Sequence, residues 1–231
     1  MSITTIGLDA DDTLCHNETI FRLTHDRFVA LLADHGDRDL IEGRLAEVER
    51  RNLRLYGYGV KGFTLSMIET AMELTGGEAP PVVVREILAG GREMLAHPVE
   101  TLPGVDEALA PLSEKSRPVL ITKGDLMDQE RKVAASGLGD LFAAVEIVSE
   151  KDSGTYQRVF ARHGTGAEEA VMAGNSMKSD VLPALEAGAF AVHIPYAITW
   201  AHELAEAPEG HARYGALDSI SALPDWIAAR A

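Results

Sequence analysis

The sequence predicts an α/β fold: a doubly wound parallel sheet with an all-helical unit inserted after its first strand. Three observations predict it. After Val105, short apolar runs alternate regularly with helical patterns, as in strand–helix–strand units with right-handed crossovers. One further apolar run, Ile3–Leu8, lies near the N-terminus, and residues 16–97 behind it carry helical periodicity only. That first run breaks into three carboxylates, Asp9, Asp11 and Asp12, where the edge of a sheet would lie.

Taken in order, Ile3-Thr4-Thr5-Ile6-Gly7-Leu8 reads as a short buried strand. Four sets of apolar residues then fall at helical spacing: Phe21, Phe28 and Leu32; Ile41, Leu45 and Val48; Leu65, Ile68 and Met72; Val84, Ile87, Leu88 and Leu95. The breakers His35-Gly36-Asp37, Tyr56-Gly57-Tyr58-Gly59, Thr75-Gly76-Gly77 and Pro80-Pro81 separate them, so four helices and no strand are expected. Strands are then expected at Val119–Thr122, Val145–Val148, Ala170–Ala173 and Phe190–Ile194. Helices are expected at Asp125–Ser136 closed by Gly137, and at Ser153–His163 closed by Gly164. A third should span Asp180–Ala187, with Pro183 in its first turn and Gly188 behind it. The expected domains are an α/β core of residues 1–15 and 98–231 and a helical insertion of residues 16–97.

Composition narrows the chemistry. The 231 residues suffice for one sizeable core and a smaller second unit. A net charge of -15 leaves little with which to displace counterions from a nucleic-acid backbone, so nucleic acid is not an expected partner. Cys15 is the single cysteine, which excludes a disulfide within the chain and a thiolate zinc cluster. No apolar run approaches the ~20 residues of a membrane span. The N-terminus lacks a basic region ahead of an apolar core of signal-peptide type, so a reducing cytoplasm is the expected location. The eight histidines form no His-Glu-x-x-His pattern, and no Gly-x-Ser-x-Gly elbow occurs.

In open α/β sheets, ligands bind beyond the carboxyl ends of the strands. Those ends carry Asp9 and Asp11; Thr122-Lys123-Gly124-Asp125; Ser149-Glu150-Lys151; and Gly174-Asn175-Ser176-Met177-Lys178-Ser179-Asp180. Singly, Thr122 is a helix cap, Lys151 a surface lysine and Asp180 a helix-start carboxylate. Together they suit phosphoryl transfer. A phosphomonoester dianion must be neutralised before a carboxylate can approach it, which calls for a hard cation with oxygen ligands, Mg²⁺, on Asp9 and Asp180. Thr122 and the backbone N–H groups of Lys123 and Gly124 would hold phosphate oxygens. Lys151 would supply positive charge to both phosphate and nucleophile. Asp9 would attack phosphorus, and Asp11 would protonate the leaving oxygen and then deprotonate the attacking water.

These motifs, in this order, resemble those of the haloacid dehalogenase superfamily. Asp9-Ala10-Asp11-Asp12-Thr13 matches its DxDx[TV] motif, Thr122 the second, Lys151 the third, and Gly174-Asn175-Ser176…Asp180 the acidic fourth. The resemblance spans residues 5–195, and it makes residues 16–97 similar to the superfamily's C1-type cap. It implies Mg²⁺ dependence, an aspartyl-phosphate, and metal binding through the backbone carbonyl of Asp11. The fourth motif often begins Gly-Asp, whereas here it is Gly174-Asn175; an amide brings oxygen without charge, so Asn175 is a secondary ligand beside Asp180. Dehalogenases and phosphonatases of the superfamily lack the second aspartate, so Asp11 points to the phosphatase branch. A phosphomutase keeps it and stays open as an alternative. A non-enzymatic receiver is disfavoured, because its acceptor aspartate lies on an internal strand. The expected partner is a small phosphorylated metabolite, a nucleoside monophosphate or sugar phosphate; oligomeric state is not encoded legibly. Tyr56–Gly59 is a candidate substrate-contacting loop. Trp200-Ala201-His202-Glu203, which follows Pro195-Tyr196, is a candidate border of the site, and Arg50, Arg51 and Arg54 read as a solvated helix face.

Overall fold

The computed structural model describes residues 3–230. In chain order the elements are β1 (Thr5–Leu8), α1 (Glu18–Leu31), α2 (Arg38–Tyr56), α3 (Val60–Leu74), α4 (Pro81–Ala96), α5 (Val105–Lys115), β2 (Arg117–Lys123), α6 (Leu126–Ser136) and β3 (Ala144–Val148). They continue with α7 (Ser153–His163), β4 (Ala170–Gly174), α8 (Leu182–Glu186), β5 (Phe190–His193), β6 (Tyr214–Ala216) and α9 (Leu223–Ala228). The chain divides into two compact units. An α/β unit runs to Glu18 and takes in Val99–Lys123 and everything from Gln129; a helical unit comprises Thr19–Pro98 and Gly124–Asp128.

In the α/β unit six strands form one parallel sheet in the order β3-β2-β1-β4-β5-β6. Chain order reverses beside β1, whose neighbours are β2 on one side and β4 on the other. Such a reversal opens a crevice at the carboxyl ends of the two central strands. Both faces of the central strands are covered, so β1 and β4 are buried along their whole length rather than alternating buried and exposed. Their side chains still divide with a period of two. Ile6, Leu8, Leu120, Val171, Ala173 and Val192 join Leu109 and Leu223 on one face; Val119, Ile121, Ala170, Met172 and Ala191 join Tyr156 and Phe160 on the other. Gly7 belongs to the second face, where a Cβ would stand 2.9–3.1 Å from Ile121, Met172 and Phe160. The missing side chain therefore lets Phe160 seat fully on the sheet.

One expected helix takes another form, and three further elements were not expected. The single helix expected at Asp180–Ala187 is instead a wide π-type turn, Met177–Val181, followed by α8. The amides of Asp180 and Val181 both reach the carbonyl of Ser176, at 2.9 and 3.2 Å, and the Ser176 hydroxyl accepts from the Ser179 amide. That capping widens the turn around Asp180. Three elements, α5, β6 and α9, carry no expectation from the sequence. Pro111 inside α5 and the three-residue length of β6 blur both periodicities.

The helical unit packs Phe28, Val29 and Leu32 of α1 with Ile41, Leu45 and Val48 of α2, Phe63 and Met67 of α3, and Val83, Ile87 and Met94 of α4. Tyr56–Gly59 is the α2–α3 connection: Gly57, at φ 71°, ends α2 by bonding the Leu53 carbonyl, and Gly59 opens α3 at φ 103°. Arg51 bridges to Glu69 and Glu73 on α3, each at 3.0 Å. The short Gly124–Asp128 stretch, expected with the core, falls in this unit, where Lys61 pairs with Asp125 at 2.8 Å. Among the described residues no helix is long and apolar enough to cross a membrane.

Burial pushes the Glu49 carboxyl on α2 up to about 7 from an ordinary 4.5. A raised acid pKa means that the folded state binds a proton the unfolded chain has released, so Glu49 lowers stability as pH rises from 4.5 to 7. Glu49→Gln should equal wild type below that window and exceed it by about 1–2 kcal/mol at pH 8, read by denaturant titration at several pH values.

Candidate active site

The site starts where β1 ends. The Asp9 amide continues the sheet by bonding the Ala173 carbonyl at 3.0 Å, so Asp9 leaves the switch point between β1 and β4 in a fixed direction. The chain then tightens: Leu14 and Cys15 both return to the Ala10 carbonyl, and Asp12 takes a left-handed φ of 61°. Asp12 explains that conformation, because its carboxylate accepts from the amides of Asn17 and Glu18 at 2.9–3.1 Å and caps the start of α1. Burial outweighs those bonds and pushes its carboxyl up to about 6. Asp12 is thus the structural member of the acidic trio.

Asp9 meets residues from two other strand ends. The buried Lys151 ammonium donates to Asp9 Oδ1 at 2.5 Å and to Asp180 Oδ1 at 2.7 Å. Asp180 is anchored further by the Ser176 amide, which donates to its Oδ2 at 2.9 Å. Thr13 ties the first motif to the fourth: its hydroxyl lies 3.2 Å from Asp9 Oδ2 and 3.3 Å from Asn175 Oδ1, and it accepts from the Asn175 amide at 3.0 Å. A hydroxyl has one proton, so Asp9 and Asn175 are alternative acceptors.

Asp11 points to a different set of partners. Gln129 Nε2 donates to its Oδ2 at 3.0 Å, and Lys132 Nζ bonds its Oδ1. Lys132 also donates to Asn17 Oδ1 at 2.9 Å. The Thr122 hydroxyl donates to Gln129 Oε1 at 3.2 Å, so the buried Gln129 joins the second motif to the first. Neither Gln129 nor Lys132 was singled out from the sequence. The available signal was their spacing of three on the helix after Thr122, which places both on one face. Lys123 turns its side chain to Ser179 and Glu203, at 2.7 and 2.6 Å. Gly124 opens the stretch that groups with the helical unit and is not part of this cluster. The structure therefore brings Asp9, Asp11, Thr122, Lys123, Lys151, Asn175 and Asp180 together in one unit. The side chain of His202 lies outside the described residues.

The donor set suits a hard cation. Two buried carboxylates share one ammonium, and burial, opposed by Lys151 but reinforced by Asp180, pushes the Asp9 carboxyl up to about 7. Lys151 is held above its ordinary range: burial opposes its charge, and the two carboxylates outweigh that. A divalent ion would offset the remaining negative charge, and every side-chain donor available is an oxygen. In the helical unit, His25, Asp26 and Glu42 also bring ligand atoms within 4.8 Å of one another. There Arg38 donates to Asp26 at 3.0 Å and Glu42 at 2.5 Å, so a guanidinium already balances the carboxylates.

Residues 3–188 match the family model of a haloacid dehalogenase-like hydrolase. The chain belongs to that family. A haloacid dehalogenase-like family hydrolase from Xanthomonas campestris is 42% identical, with 99% of this chain and 91% of that one covered and a TM-score of 0.89. L-2-haloacid dehalogenase from Xanthobacter autotrophicus shares the fold at 16% identity, covering 99% and 100%, with a TM-score of 0.66. A predicted phosphoglycolate phosphatase from Haemophilus somnus shares it at 15% identity, covering 98% of each chain, with a TM-score of 0.64. No curated protein sequence matches the chain.

Gly174 makes the Asp180 geometry possible in this hydrolase, because a Cβ there would stand 2.2 Å from Asp180 Oδ2 and 2.4 Å from its Cγ. Gly174→Ala should lower unfolding free energy by about 1–3 kcal/mol. Gly43→Ala, on α2 with open space around it, should raise it by about 0.5–1 kcal/mol. Denaturant titration of both variants checks the contrast, and a Gly174→Ala protein as stable as wild type would contradict the packing.

Proposed function

We propose that this hydrolase is a Mg²⁺-dependent phosphomonoesterase that acts on a small phosphorylated metabolite through an aspartyl-phosphate on Asp9. The observation that supports it is the second carboxylate. Asp11 is set apart from the Asp9–Lys151–Asp180 cluster and held by Gln129 and Lys132. Carboxylate displacement of a halide needs no proton on the leaving group and would leave Asp11 idle. Departure of an alkoxide from phosphorus needs an acid, and hydrolysis of the acyl phosphate needs a base.

Asp9, Asp180 and the Asp11 carbonyl would hold the metal, with Asn175 as a secondary oxygen donor. Bound there, Mg²⁺ supplies charge neutralisation for the phosphoryl oxygens. An Asp9 carboxylate oxygen bonds to phosphorus while the bond from phosphorus to the ester oxygen breaks, and that oxygen takes the proton of the Asp11 carboxyl. Asp11, now a carboxylate, takes a proton from water as the water oxygen bonds to phosphorus. The Asp9–phosphorus bond breaks, releasing inorganic phosphate and restoring Asp9. Lys151 keeps the nucleophile's second oxygen paired throughout, and its link to Asp180 keeps both carboxylates aimed at one point. Thr122 reaches a phosphoryl oxygen by turning its hydroxyl away from Gln129, a single torsion.

A panel of phosphomonoesters and a 2-haloacid, assayed with and without Mg²⁺, tests the reading. Phosphate release is expected only with the metal, and Asp9→Asn should reduce it by about 10³-fold or more with an unchanged fold by circular dichroism. Halide release without phosphate release would overturn the proposal. Conversion of the substrate to an isomeric phosphomonoester with no free phosphate would establish the phosphomutase instead.

A further inference from the structure

The turn that carries Asp180 is tied down by a residue outside all four motifs. Glu203 lies in a single-turn helix, Ala201–Glu203, beyond β5, and its side chain is only 14% exposed. Its Oε2 accepts from the hydroxyls of both Ser176 and Ser179. Its Oε1 accepts from Lys123 at 2.6 Å, and Lys123 also donates to Ser179 Oγ at 2.7 Å. The proton inventory closes: each serine gives its one hydroxyl proton to Glu203, Ser176 Oγ accepts the Ser179 amide at 2.9 Å, and Ser179 Oγ accepts Lys123. Ser176 then donates its own amide to Asp180 Oδ2, so the chain of bonds runs from Glu203 directly to Asp180.

We propose that Glu203 is a positioning residue that sets the divalent-cation affinity of the Asp9–Asp180 site. Two effects combine. Glu203 grips the serine that caps the wide turn and the serine inside it, which fixes the direction of the Asp180 carboxylate. It is also the nearer of two carboxylates that offset the Lys123 charge beside that turn, at 2.6 Å against 3.7 Å for Glu150, a charge that opposes a second cation. The inference rests on the proposed role of Asp180 as a metal ligand.

Mg²⁺ titration calorimetry and thermal unfolding with and without Mg²⁺, on the full chain, test it. Glu203→Gln should keep the metal-free unfolding temperature within a few degrees while raising the Mg²⁺ Kd about tenfold, and Glu203→Ala should raise it further. If Glu203→Gln fails to fold, Ser179→Ala carries the test, since it deletes one donor and keeps the carboxylate; its Kd should rise in the same direction. A Kd within twofold of wild type in the folded variants overturns the role of Glu203. Asp180→Asn separates the two levels. Affinity lost there but kept in Glu203→Gln removes only Glu203, whereas affinity kept in Asp180→Asn, or no Mg²⁺ binding by wild type, removes the metal site and this proposal with it.

Discussion

Lys151 places one positive charge between two buried carboxylates, and most of the α/β unit serves to keep it there. Ion pairs in a protein interior carry a desolvation cost of several kcal/mol per charge, which attraction offsets only when the geometry is good and the remaining lone pairs are bonded. Here the geometry is supplied by three separate strand ends. Asp9 is aimed by the amide bond to Ala173, Asp180 by the wide turn after β4 and the absent side chain of Gly174, and Lys151 by the end of β3. Burial, opposed by Lys151, raises the Asp9 carboxyl to about 7.

The parallel sheet makes that convergence possible. Parallel strands put all their carboxyl ends on one edge, and the reversal of order beside β1 opens that edge between β1 and β4. The apolar faces, with Gly7 admitting Phe160, give the strands a rigid register. Residues a hundred or more positions apart are thus held within hydrogen-bonding distance by backbone ladders rather than by flexible loops.

A second set of polar residues surrounds the first. Gln129 and Lys132 hold Asp11, Asp12 caps α1, Thr13 joins the first motif to the fourth, and Glu203 closes the Lys123–Ser179–Ser176 network. Where the group bonded is buried, leaving it unpaired would cost about 1–3 kcal/mol. These bonds sort three carboxylates within four positions into distinct environments: one paired and buried, one held at its two oxygens, one capping a helix.

By itself the sequence determined the order of the first five strands and most of the helices among them, the all-helical character of residues 16–97 and the residues that stand at the strand ends. Those features are local: periodicity, breakers and the break from apolar to acidic at Asp9 need no knowledge of distant partners. Tertiary structure alone decided the rest. The sequence singles out Asp11 as the candidate acid, two positions after Asp9, but only the positions of Asn17, Glu18, Gln129 and Lys132 show that Asp12 caps a helix and what holds Asp11. The helix expected at Asp180 gave way to a wide turn because Ser176 captures three amides' bonding there, through its carbonyl and its hydroxyl. Glu203 falls in the stretch read as a border of the site, but its partners Lys123, Ser176 and Ser179 are a tertiary matter; the α5, β6 and α9 elements were illegible because short or proline-interrupted segments have no periodicity of their own.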